Sequence, residues 1–300
     1  MWFFIALLGY LLLAIVMILD KVIVSESRVS PIVYTFYSTI IVLPILVAAP
    51  FLGRLSVVEW GWATFSGIAF GFALFATFLA LEQDEASHVG PFSGALITTS
   101  IAMLSFLFLN EVLSRGQTIG VLVLVISSLL LSYEKTKNGR VFHVGFLWAT
   151  LAAFLFAVSH VSAKYLYDLH PFALVLFATK GTAGLVGLVC LFSSRVRKVL
   201  QGSSPSRQKG LKRRHPLSLV AIDKILGIVG VVLIQYAIAT GSVTLVNALA
   251  GLQYIFLFFL VVVCTRFFPS IFQEYITKKE YRIQTIAVVL AAIGSFFVVL

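Results

Sequence analysis

Five side chains stand out because their types could bind or move a charged solute and because hydrophobic runs surround them. Lys180 lies nine residues beyond Pro171, inside the apolar run 172–192, about 14 Å of helix from the nearer end. An ammonium group at that depth is expensive in hydrocarbon and normally faces a cavity or a partner. It could attract an anionic group of a ligand, or it could be bonded to backbone carbonyls or held neutral by desolvation. Asp20 and His160 occupy equivalent places when the chain is aligned on Pro31 and Pro171, each a turn or two inside the end of a run. Such groups can titrate or act as gates. The plainer expectation pairs Asp20 with Lys21 or Arg28 and lets His160 bond beside Ser159 and Lys164. Asn247 and Gln253 fall in the run 243–264, with Gln235 and Tyr236 in the run before it. Polar groups there line a cavity or hold helices together, and Gln253 is the deepest of them. No Asp or Glu is expected at mid-depth in any run.

Other chemistry finds little support. Glu82, Asp84 and Glu85 crowd a short loop, and Glu111 and Arg115 at i,i+4 read as a surface pair. Cys190 and Cys264 form no metal spacing and no disulfide framework. The chain has no Gly-x-x-x-x-Gly-Lys-Ser/Thr phosphate loop, and its five histidines are scattered with no nucleophile set beside a base. No catalytic, cofactor-binding or metal-binding residue is assigned.

The elements that must position the five residues follow from composition. Of 300 residues, 60% are hydrophobic and 11% charged, which leaves a water-soluble fold nowhere to put its apolar surface. A bilayer accommodates it, at about 20 apolar residues per spanning helix. Spanning runs bounded by polar breaks are 2–19, 32–49, 60–81, 89–109, 117–133, 144–163, 172–192, 225–239, 243–264 and 283–300. The expected class is therefore an all-α integral membrane protein of about ten transmembrane helices. Gly67 and Gly71 make a small-xxx-small step suited to close helix packing. The one long polar stretch, 193–224, contains the basic run Lys212–Arg213–Arg214 and reads as a mobile loop. The net charge of +10 sits in the connections between apolar runs, as in membrane proteins, and argues for a lipid bilayer as partner and against nucleic acid.

The chain also repeats itself. Gln117–Thr118–Ile119 opens the fifth run and Gln284–Thr285–Ile286 the tenth; Ser30–Pro31 is echoed by His170–Pro171, and the segment 87–94 by 244–251. The division is 1–133, a linker 134–143, and 144–300 with the basic loop 193–224. Five spans per half make the second half enter upside down, and inverted repeats are a recurrent design of carriers that alternate access to a site between the halves. All of the 22 Lys and Arg except Arg54, Arg115, Lys164 and Lys180 fall in odd-numbered loops or at their edges. The positive-inside rule then puts those loops in the cytoplasm and both termini outside.

Lys21, Ser30–Pro31 and Asn110–Glu111 before Gln117-Thr-Ile-Gly120 give the first half a pattern that resembles the EamA domain, the repeat unit of the drug/metabolite transporter superfamily. Lys164, Pro171, Gly251 and Gln284–Ile286 make the second half similar. The resemblance implies a carrier of the plasma (inner) membrane with a cavity lined by spans 1, 3, 4, 6, 8 and 9, no cofactor and no covalent chemistry. Members of this family move amino acids, nucleotide sugars, other metabolites or drugs, and many keep both termini in the cytoplasm, whereas the charge count here favours the opposite. The competing readings are an integral-membrane enzyme, such as a lipid-modifying transferase or an intramembrane protease, and a non-transporting subunit or flippase partner. Substrate, direction, coupling ion and oligomeric state are open at this level.

Overall fold

The computed structural model describes residues 1–21, 23, 30–83, 86–131, 144–201, 217–267 and 278–299. Among these the chain is all-helical. Its helices are α1 (Trp2–Lys21), α2 (Pro31–Ile40), α3 (Ala49–Leu52), α4 (Val57–Gln83), α5 (Ala86–Leu109), α6 (Arg115–Leu131), α7 (Val144–Tyr167), α8 (Phe172–Cys190), α9 (Ser194–Leu200), α10 (Leu217–Thr240), α11 (Val243–Ala248), α12 (Ala250–Phe267) and α13 (Lys278–Val299). Seven helical stretches are long and apolar enough to cross a membrane, and three shorter apolar ones are 115–130, 243–257 and 285–299. The expected linker 134–143 lies outside the described residues, as do Asp84 and Glu85.

Several boundaries differ from expectation for local reasons. The second run is not one uniform helix, because Pro44 lacks an amide hydrogen and cannot continue the α ladder. The backbone tightens into a 3₁₀ stretch, Leu43–Ala48, between α2 and α3. The run 225–239 begins earlier, at Leu217, just after Pro216, a residue that favours helix starts. Asp223 and Lys224 are therefore helical and not the tail of a loop. The stretch 193–224 likewise opens with α9, capped by the Ser193 hydroxyl accepting from the Arg195 amide, while 202–216 lies outside the described residues. The run 243–264 is broken at Leu249 into α11 and α12. Reciprocal side-chain and backbone bonds of Ser56 with Glu59, and of Ser114 with Gln117, start α4 and α6.

In packing, α1 lies along α10, α4 along α7 and α8, α5 along α7, α6 along α13 and α2 along α8. Small residues let these helices approach closely. A Cβ on Gly67 would stand 2.4 Å from the Thr179 carbonyl oxygen of α8. On α8 itself, glycines three residues apart meet positions three apart on the second run: Gly181 faces Leu46, Gly184 faces Leu43 and Gly187 faces Thr39 and Ile40. Contacts between connections sort by parity. His170 pairs with Glu59 at 2.9 Å, and Thr244 donates to Glu111 at 2.8 Å, where the sequence suggested a partner in Arg115. On the opposite face Arg195 donates to the Ser30 hydroxyl at 3.4 Å.

Replacing Gly67 with Ala should cost about 1–3 kcal/mol through overpacking against α8. Gly61→Ala, where a Cβ meets nothing within 4 Å, should be neutral. Thermal unfolding of the two variants in the same detergent measures the difference, and equal melting points would refute the close-packing account.

Candidate functional site

Two polar clusters lie within the apolar bundle. The first gathers on the break in the ninth run. Beside Leu249, the carbonyl of Val246 accepts from the Tyr10 hydroxyl of α1 (2.9 Å), and that of Asn247 accepts from Thr98 of α5 (3.1 Å). Backbone acceptors that leave a regular helix in hydrocarbon need such donors. The Asn247 side chain donates to the Val243 carbonyl at 2.8 Å and meets His160 Nδ1 of α7 through its Oδ1 at 2.9 Å. That contact requires the ring proton on Nδ1, since an amide oxygen only accepts. His160 and Asn247, assigned separately from sequence, are thus one hydrogen-bonded pair.

Lys180 sits near the middle of α8 and is buried. Its Nζ lies 3.8 Å from the centre of the Phe70 ring and finds no hydrogen-bond partner among the described residues. A continuous aromatic path links it to His160: Phe70 packs on Phe156 (5.5 Å between centroids), and Phe156 on the imidazole (6.1 Å). No hydrogen bond among the described residues occupies this amine, so its donors are free for a ligand. Tyr254 packs against Gly94 of α5, where any side chain would collide with its ring, while a side chain at Gly90 would meet Met17 first. Gln253, chosen from sequence for its depth, is half-buried and stands outside this network. Gln235 accepts from Tyr167 at 3.1 Å and so joins α10 to α7. Ser159 and Lys164 do not hold His160: the Ser66 hydroxyl donates to the Ser159 carbonyl (2.8 Å), and Lys164 pairs with Asp168 (2.8 Å).

The second cluster lies toward the opposite face and joins α1, α2 and α10. The Tyr34 hydroxyl lies within hydrogen-bonding reach of both Asp20 and Asp223, the latter at 2.8 Å, and accepts from Lys224 Nζ at 2.8 Å. Lys224 is 2.8 Å from Asp223 and 3.6 Å from Asp20, and its Nζ stands 3.9 Å from the centre of the Tyr34 ring. Asp223 is fully buried, and its Oδ1 has no partner among the described residues. Asp20 is therefore held by Tyr34 and Lys224; Arg28 and the side chain of Lys21, the partners suggested by the sequence, lie outside the described residues. Asp223 is a buried carboxylate that the sequence hid beside a basic loop; it lies three residues inside the end of the span 220–240, so no Asp or Glu stands at mid-depth among the described spans. The lone signal was the apolar stretch from Leu217 to Ile222, which continues helically into Asp223–Lys224.

Comparisons with known proteins agree with this architecture. A solved structure described as "Crystal structure of protein" is similar over 99% of this chain and 98% of that chain, at 21% identity and a TM-score of 0.64. At that identity the likeness speaks for the fold. No curated protein matches the chain. The model of the EamA-like transporter family matches residues 1–133. Over residues 1–133 this multi-pass membrane protein is thus similar to the EamA-like transporter family.

Proposed function

We propose that the protein is a secondary carrier that moves a small metabolite across the plasma (inner) membrane by alternating access, through ten spans arranged as two inverted five-helix halves. The observation that carries this reading is the broken ninth run, whose exposed carbonyls and Asn247 are held by groups from α1, α5 and α7. Discontinuous helices at the interface of two halves are where carriers bind their cargo. The helix pairings support the inverted arrangement. Spans one with eight and three with six are equivalent under such a two-fold, and spans two with seven, four with nine and five with ten map onto themselves. Lys180, His160 and Asn247 are the proposed substrate contacts. Asp20 belongs to the second cluster, and Gln253 is assigned to neither.

The unpaired ammonium of Lys180 fits a substrate with an anionic group, such as an amino acid carboxylate or a sugar nucleotide phosphate. Purified protein in liposomes, loaded and challenged with pooled labelled amino acids and sugar nucleotides, should show counterflow of an anionic solute. Lys180→Ala and Asn247→Ala should each reduce it at least tenfold. Flux untouched by both variants would remove the site, and no flux from any pool would remove the carrier.

A lysine buried without a counter-charge opposes folding, so Lys180→Met should raise the melting temperature in detergent while abolishing flux. A melting point that falls instead would make Lys180 a structural residue. The charge distribution places the even loops and both termini outside. In a background lacking Cys190 and Cys264, Ser56→Cys should react with an impermeant maleimide on intact cells, and Ser194→Cys only after lysis. The reverse pattern would invert the topology.

A further inference from the structure

We infer that Asp20, Tyr34, Asp223 and Lys224 bind one exchangeable proton, and that this proton is the coupling ion of the carrier proposed above. Two independent counts lead to it. The first is charge. Two carboxylates face one ammonium in a cluster whose members are largely or wholly buried; Asp20 and Lys224 are each 15% exposed and Asp223 not at all. With Tyr34 neutral, one negative charge remains uncompensated among the described residues of the cluster, a costly state that one added proton removes.

The second count is hydrogen. Tyr34 carries a single hydroxyl proton, yet its oxygen lies against an oxygen of Asp20 and an oxygen of Asp223 while also accepting from Lys224. A tyrosine can donate to only one of the two. The other contact therefore needs a proton of its own on the carboxyl group, which donates back to the Tyr34 oxygen. Asp223 is the fitting holder. Its Oδ1 is buried without a donor among the described residues, which a neutral carbonyl oxygen tolerates better than a carboxylate does.

The neighbouring elements add no further charge among the described residues. The α4 side presents the Phe78 ring, 4.6 Å from that of Tyr34, and Arg195 of α9 ends on Ser30. Release then has a defined path. The Asp223 proton passes to the Tyr34 oxygen as the Tyr34 proton passes to Asp20, the more exposed carboxylate, which gives it to water. The cluster joins α1 and α2 of the first half to α10 of the second, so any movement that separates α1 from α10 parts Asp20 from Asp223 and Lys224 and alters the hold on the proton. The Lys180 cluster bears the substrate and this one the ion.

The coupling part rests on the carrier reading; the proton site does not. Infrared difference spectra of the purified full-length protein between neutral and alkaline buffer should show one protonated-carboxyl band, lost in both Asp20→Asn and Asp223→Asn with the helical amide signal unchanged. A wild type without that band, or variants that both keep it, overturns the proton site whatever transport shows. In proteoliposomes, an imposed pH gradient should change the wild-type rate several-fold, and the ratio of rates with and without the gradient should fall to one in Asp223→Asn. Wild-type flux that ignores the pH gradient, or follows a sodium gradient in its place, overturns the coupling even if the band is present. Absence of all flux would sink the carrier reading and leave the infrared band to decide the proton site.

Discussion

Backbone carbonyls cannot be left bare in hydrocarbon, and the central site of this protein depends on that constraint. Where the ninth run breaks at Leu249, the carbonyls of Val246 and Asn247 draw Tyr10 from α1 and Thr98 from α5. Asn247 in turn fixes the His160 ring of α7. Three separate helices are thereby tied to one irregular turn. Continuous helix there would supply its own bonds and leave the surrounding hydroxyls without acceptors. The irregularity is what gathers polar side chains at the middle of an otherwise apolar bundle.

Around this centre, helices are brought together by small residues, because lipid gives no hydrophobic drive for one apolar helix to prefer another. Gly67 on α4 lets the Thr179 backbone of α8 approach, and Gly94 on α5 leaves room for the Tyr254 ring. The two polar clusters occupy different seams of this packing. One is built on α1, α5, α7 and the ninth run, with Lys180 of α8 reached through aromatic rings. The other is built on α1, α2 and α10. They share α1, whose Tyr10 and Asp20 stand two to three turns apart on the same helix.

Much of this was legible in the sequence, and its gaps have physical causes. Apolar runs located most spanning helices to within a few residues, because the hydrocarbon thickness imposes their length. Lys180 and His160 were visible since a charged or titratable group inside such a run has no ordinary reason to be there. Asp223 escaped notice because charge pairs near a basic stretch read as solvated, whereas the helix extends outward and carries them into the bundle. The break at Leu249 had no Pro or Gly at its own position; its cause is tertiary, in donors contributed by distant helices. Gln253 was chosen for depth alone, and depth does not tell which face of a helix a residue occupies. The partnership of Asp20 with residues about two hundred positions away was beyond any reading of local charge.

The 3₁₀ stretch around Pro44 carries a mechanical consequence. Side chains on a 3₁₀ helix line up every third residue, and the glycines it meets on α8 recur at the same interval. Three residues rise about 6 Å on the 3₁₀ stretch and about 4.5 Å on α8, so the two rows meet closely at Leu43 and Leu46 without sharing one pitch. A slip of one residue would push Cβ-bearing positions such as Thr182 or Ala183 into the backbone at Leu43. Small sliding displacements are thus sterically closed at this seam, and the second run and α8 must travel as one rigid strut, which confines any rocking of the bundle to its other seams.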